Sequence, residues 1–171
     1  SEAVTLRELL HDPGDYLRQV EQRAAEQFGG KATLSLTDQL VDGKLVVQQG
    51  IIAGCAGGMY DNIAEAAAIL SGGDVGCGPF SLSVYPPSIP VNLELMQNGV
   101  QQTLLEAGVL FKPCFCGPCF GAGDVPANNA LSVRHTTRNF PNREGSKPGD
   151  GQLSGVLLMD ARSIAATARN H

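Results

Sequence analysis

No apolar run in the 171 residues approaches the roughly 18 that a membrane-spanning helix needs, so no membrane partner is expected. The opening "SEAVTLRELL" lacks the basic region and following apolar stretch of a secretory leader. Positive charge is also scarce. The formal net charge is -5 and only 17% of residues are charged, which argues against an extended basic surface for nucleic acid, while 43% hydrophobic residues argue against disorder. An even set of cysteines is missing too: there are five, three of them crowded into Cys114 to Cys119. That pattern suits a reducing compartment with metal or redox chemistry better than a secreted disulfide framework, so a cytoplasmic chain is expected. Internal repeats, low-complexity segments and a convincing interdomain linker are absent. At this length one core can form without staples, and a single domain over 1–171 is the expectation.

What is present reads as alternating helices and strands. "DYLRQVEQRAAEQFGG" places Leu17, Val20, Ala24 and Phe28 at helical spacing, with Asp15 as N-cap and Gly29 beyond the C-terminus. "KLVVQQGIIAGC" predicts one or two strands running into Cys55, and "IAEAAAIL" a helix. "FSLSVYPP" reads as a strand stopped by Pro86 and Pro87, "NLELMQNGVQQTLLEAG" as largely helical, and "VLFKPC" as a strand leading to the cysteine cluster. "LSVRHTTRNF" begins as a strand, the polar loop "PNREGSKPGDGQ" follows, and the strand "GVLLM" precedes the helix "DARSIAATA" capped by Asp160. This order predicts an α/β domain, three-layer α/β/α, with a mostly parallel sheet and helices on both faces. Ligands of such sheets gather outside the carboxyl ends of the strands, where Cys55, Cys116, Cys119, Arg138 and Arg143 all fall.

Glycine clusters with cysteine in "AGCAGG", "SGGDVGCGP" and "CGPCFGAG", a setting that lets backbone approach a bulky inorganic group closely. Cys116-Gly117-Pro118-Cys119 matches a thioredoxin-type motif, but a redox pair needs its first thiol at the start of a continuing helix. The continuation "FGAGDVPANN" is poor helix material, and no tryptophan precedes the motif. A metal chelate is the better reading. Two sulfurs at this spacing can serve one centre, and a third thiolate must come from elsewhere, with Cys55 the leading candidate. Zinc in a shell of four thiolates, drawing on Cys77 or Cys114, stays open as an alternative. His135 reads as a strand histidine with a satisfied hydrogen bond.

Four pieces occur in one order over about residues 44–170: "IIAGCAGGMYDN", "CGPCFG", "RNFPNR" and "VLLMDARSIAATA". Together they resemble the iron-sulfur part of the aconitase family of hydro-lyases. Its first cysteine follows a buried strand, its second and third sit in Cys-Gly-Pro-Cys, and an Arg-Asn-Phe-x-x-Arg signature lies downstream. The resemblance implies the third-domain fold of aconitase and a [4Fe-4S] cluster held by Cys55, Cys116 and Cys119. It also implies that Arg138 and Arg143 face a small carboxylic-acid substrate, and it leaves Cys77 and Cys114 as structural residues.

The implied function is the cluster domain of a hydratase that dehydrates and rehydrates a hydroxy di- or tricarboxylic acid. The acid and base residues would lie in the remaining domains of a longer parent chain, so this portion alone should be inactive. The sequence departs from the family where Ala53-Gly54-Cys55-Ala56-Gly57 replaces the usual Thr-Ser-Cys-Thr-Asn, and where Thr137 stands in place of an asparagine. These departures resemble a divergent aconitase-like branch and leave a second expectation beside the first: a non-catalytic cluster sensor or structural metal module.

Overall fold

The structure is a computed structural model that describes residues 13–27, 34–138 and 142–170. It divides into two compact units between Val46 and Val47. In the first, helix α1 (Pro13–Gln27) is followed by a short 3-10 turn at Thr37–Gln39 and a two-stranded hairpin, β1 (Leu40–Val41) and β2 (Lys44–Leu45). Asp15 is not the N-cap. The helix starts at Pro13, whose fixed φ suits a first turn, and Asp15 lies inside it, accepting a hydrogen bond from Gln19 and facing Arg18. The expected helix end at Phe28 and Gly29 lies outside the described residues. Glu21 accepts from the backbone amides of Leu36 and Thr37, and Leu17, Leu34 and Leu36 are buried.

The second unit holds a five-stranded sheet in the order β5-β4-β3-β6-β7, every pairing parallel. Its strands are β3 (Gln49–Ile52), β4 (Ser81–Val84), β5 (Leu110–Phe111), β6 (Ala130–His135) and β7 (Ser154–Leu158). Helices flank it, as the expected α/β class requires, consistent with a three-layer α/β/α domain. These are the one-turn α2 (Gly54–Gly57), then α3 (Tyr60–Leu70), α4 (Ile89–Gln97), α5 (Val100–Glu106) and α6 (Ala161–Arg169). The stretch expected to be largely helical across 92–108 is so, as two helices, because Gly99 takes a left-handed φ of 74° and turns the chain between them. Asp160 caps α6 as expected, accepting from the Ser163 amide at 2.7 Å.

Alternation along each strand gives the sheet two unlike faces. Ile52, Leu82, Val84 and Val133 point to the side packed by Ile63, Leu70, Leu95, Leu104 and Ile164 of the helices. On the other side, Gln49 lies beside Ser132, and Ile51 stands between Ser83 and Arg134. All four of those polar residues are buried.

Candidate functional site

The chain enters the sheet at its centre. From β3 it builds outward through β4 to β5, then crosses back to place β6 on the other flank of β3. The direction of winding therefore reverses between β3 and β6, and the crevice outside their carboxyl ends is the place where parallel sheets of this kind take ligands.

Cys55 sits in α2, directly after β3. Two glycines place it there. Gly57 packs so tightly on the end of β6 that a Cβ would fall 1.8 Å from the His135 carbonyl oxygen. Gly54 has a left-handed φ of 77°, and a Cβ there would come within 2.8 Å of Cys119 Sγ. The turn carrying Cys55 and the sulfur of Cys119 are thus close neighbours. Cys116 and Cys119 flank the 3-10 turn Gly117–Cys119 in the connection from β5 to β6. Cys119 is buried, whereas Cys55 and Cys116 are exposed, and all five cysteines are free.

The Cys116 thiol is pushed up chiefly by the neighbouring Cys119 charge, with burial, a Cys119 hydrogen bond and Cys55 adding to the rise while Arg143 opposes it. A thioredoxin nucleophile needs the opposite shift and a helix running on from its first thiol; here the turn ends after three residues.

Arg143 is buried, and its Nε donates to the Cys119 carbonyl oxygen while its Nη2 donates to Thr137 Oγ1 at 2.8 Å. Thr137, a departure from the family pattern, therefore helps to hold this guanidinium. Arg138 is exposed just past β6. The middle of the "RNFPNR" stretch, 139–141, lies outside the described residues. Cys114 is half-buried in the same connection as Cys116. Cys77 is exposed in the loop that precedes β4, at the opposite edge of the sheet, so it is neither a packing residue nor able to share a metal with Cys119.

His135 departs from expectation. It ends β6, its carbonyl accepts from the Ala53 amide at 3.1 Å, but its buried Nδ1 has no hydrogen-bond partner among the described residues.

Among the described residues, no group of three or more His, Cys, Asp or Glu side chains could hold a metal ion. That counts against a compact zinc shell. It does not weigh against a cluster in the same way, because thiolates on different irons stand farther apart than ligands of one ion. Three soft thiol donors around a glycine-lined turn suit iron-sulfur chemistry.

Sequence reasoning missed Arg134. This side chain is 2% exposed and extends from β6 beneath the cysteine loop. Its Nε donates to Ser132 Oγ at 2.9 Å, Nη1 to the Pro118 carbonyl at 3.0 Å, and Nη2 to Gln49 Oε1 and the Asp124 carbonyl, each at 3.0 Å. Burial lowers its pKa to about 10, against the opposing pull of Glu144 and Asp124, so it stays charged at neutral pH. Gln49 Nε2 also donates to the Asp124 carbonyl, and the Tyr85 hydroxyl donates to the Asp124 carboxylate at 2.6 Å. Burial and that hydrogen bond push the Tyr85 pKa up. A polar residue on the same strand face as Gln49 and Ser132 was the available signal, an arginine inside "LSVRH".

A sequence model of the aconitase family (aconitate hydratase) matches residues 1–166. The chain belongs to the aconitase family. Its similarity to individual members runs the same way. It is 34% identical over 125 residues to the 3-isopropylmalate dehydratase large subunit of Nitratidesulfovibrio vulgaris, covering 70% of this chain and 29% of that protein. Against large subunit 1 from Methanopyrus kandleri the identity is 33% over 121 residues, with 70% and 29% covered. Against large subunit 2 from Pyrococcus furiosus it is 34% over 129 residues, with 72% and 32% covered. This aconitase-family chain thus spans about three-tenths of the length of those relatives. Among the described residues, no helix is long and apolar enough to cross a membrane.

Proposed function

We propose that this chain is the cluster-bearing domain of an aconitase-like hydro-lyase that removes and adds water on a hydroxy di- or tricarboxylic acid. The observation that carries the reading is the convergence of Cys55, Cys116, Cys119 and Arg143 at one sheet edge in a member of this family. Cys55, Cys116 and Cys119 would hold a [4Fe-4S] cluster. When bound, such a cluster supplies one iron without a protein thiolate, a Lewis acid toward a substrate hydroxyl.

The chain's own residues bind and orient. Arg138, exposed beside the crevice, is suited to take a carboxylate through two parallel N–H donors. Arg143 adds a fixed positive charge next to the thiols while its Nε and Nη2 steady Cys119 and Thr137. We assign the acid and base groups to the remaining domains of the parent chain, which leaves this portion inactive alone. The relatives are named for 3-isopropylmalate, a member of the proposed substrate class, and "large subunit" in those names implies a second chain as a further partner. Five free thiols suit a reducing, cytoplasmic setting.

Anaerobic iron-sulfur reconstitution tests the assignment. We expect about four iron and four sulfide per chain, with loading lost in each of Cys55→Ser, Cys116→Ser and Cys119→Ser. Zinc uptake that requires Cys114 would overturn it. A second reading, a non-catalytic cluster sensor, draws on the run Ala53-Gly54-Cys55-Ala56-Gly57, which offers no side-chain hydroxyl or amide beside the first thiol. Assay of the cluster-loaded parent enzyme against a panel of hydroxy di- and tricarboxylates separates the two, and the absence of turnover would favour the sensor.

A further inference from the structure

We propose that Arg134 is a positioning residue for the Cys-Gly-Pro-Cys loop, holding its backbone to the sheet and fixing a buried positive charge beneath Cys119. The inference rests on the cluster assignment above for its meaning, but on separate contacts for its evidence. Three features carry it.

The first is the choice of partners. One guanidinium is shared between the sheet, through Ser132 and Gln49, and the connection from β5 to β6, through the carbonyls of Pro118 and Asp124. Pro118 is the residue immediately before Cys119. Arg143 takes the very next carbonyl, that of Cys119 itself. Two guanidiniums therefore grip consecutive peptide groups of one short turn, a 3-10 segment of three residues.

The second is burial. Arg134 is among the largest fully buried side chains of the described residues, and a cation so placed is rarely retained without hydrogen bonds on all sides. Hydrophobic residues fill the helix-facing side of the same strand, so a cation is not what packing alone would select. The third is charge. Nη1 bonds the carbonyl of the peptide group that joins Pro118 to Cys119, so a buried cation lies next to the residue it positions. A fixed cation there favours the more negative, reduced state of any cluster bound to it.

Shape and charge can be separated. Arg134→Lys keeps the charge but cannot reach the same set of acceptors; Arg134→Gln loses the charge as well. In the reduced chain at fixed pH, alkylation by iodoacetamide is followed at each cysteine by peptide mass spectrometry, with exposed Cys77 as internal reference. We expect Cys119 to react on the order of tenfold faster in Arg134→Lys, which loses the hold on the loop but keeps the charge, with Cys77 unchanged. Arg134→Gln should raise the rate by less, because it also removes the cation beside the reactive sulfur. On the reconstituted chain, the cluster reduction potential should fall in Arg134→Gln and stay near wild type in Arg134→Lys, a split that general loosening of the fold would not produce.

Wild-type Cys119 reactivity in both variants, each folded by circular dichroism, would overturn the proposal. If Arg134→Gln does not fold, the Lys variant decides on its own Cys119 rate. A wild-type chain that takes up no iron and sulfide counts against the cluster assignment instead, and the Cys119 rates still decide the role of Arg134.

Discussion

The two faces of the five-stranded sheet are made from the same strands and do different work. On one, Ile52, Leu82, Val84 and Val133 meet a layer of helices through apolar contact. On the other, Gln49 and Arg134, tied together through Ser132, meet an irregular connection through hydrogen bonds. Apolar contact is non-directional and scales with area, so the helix face supplies stability without fixing any one atom. Hydrogen bonds are directional and costly to leave unmade, so the polar face adds less net stability but fixes where Pro118 and Asp124 sit. The cysteine loop lies on the second kind of surface.

Damage to each face should therefore read out differently. Leu82→Ala, at a fully buried position of the helix face, is expected to cost about 3 kcal/mol in urea unfolding and to leave native-state Cys119 alkylation unchanged. Ser132→Ala removes the hydroxyl that accepts from Arg134 Nε and donates to Gln49 Oε1. It should cost about 2 kcal/mol by the same measurement, and it should speed Cys119 alkylation. If the Leu82 and Ser132 variants affect Cys119 equally, the contrast between the faces fails.

A smaller effect probes the end of the helix layer. Hydrogen bonds from the Ser163 amide and hydroxyl hold the Asp160 carboxyl below its usual range. Because the folded pKa is depressed, its stabilisation is present above the ordinary carboxylate pKa and is lost as pH falls through the folded value. Asp160→Ala should cost about 1 kcal/mol at pH 7, and the gap to wild type in thermal unfolding should close below about pH 4. Smallest of all, Tyr85→Phe deletes the hydrogen bond to Asp124 on the polar side. A loss of roughly 0.5 to 1 kcal/mol is expected in urea unfolding.

Elements with a local cause could be read from the sequence. The Asp160 cap, the Pro86-Pro87 stop after β4 and the strands leading to Cys55 and to the Cys-Gly-Pro-Cys loop all follow from neighbours along the chain. So did the grouping of the cysteines and Arg143, because every loop after a strand of a parallel sheet opens at the same edge. Arg134 was not legible. Its partners Pro118, Asp124 and Gln49 lie far away in sequence, and only the pairing of β3 with β6 brings them together. The Nδ1 of His135, without a partner among the described residues, was hidden for the same reason, since its surroundings depend on the turn at Gly57 packing against β6. The break at Gly99 was visible only as a glycine inside a largely helical stretch.

The pairing of β3 with β6 has a consequence in time. Gln49 and Ser132, bonded across it, are 83 residues apart in the chain. Contacts so distant must wait for the intervening chain and for the entropy of closing it, which makes such sheets slow to assemble. At ordinary translation speeds Cys55 leaves the ribosome on the order of ten seconds before the strand against which its turn must rest. For that interval the first thiol is in solution without its companions, and the crevice that gives it meaning does not yet exist.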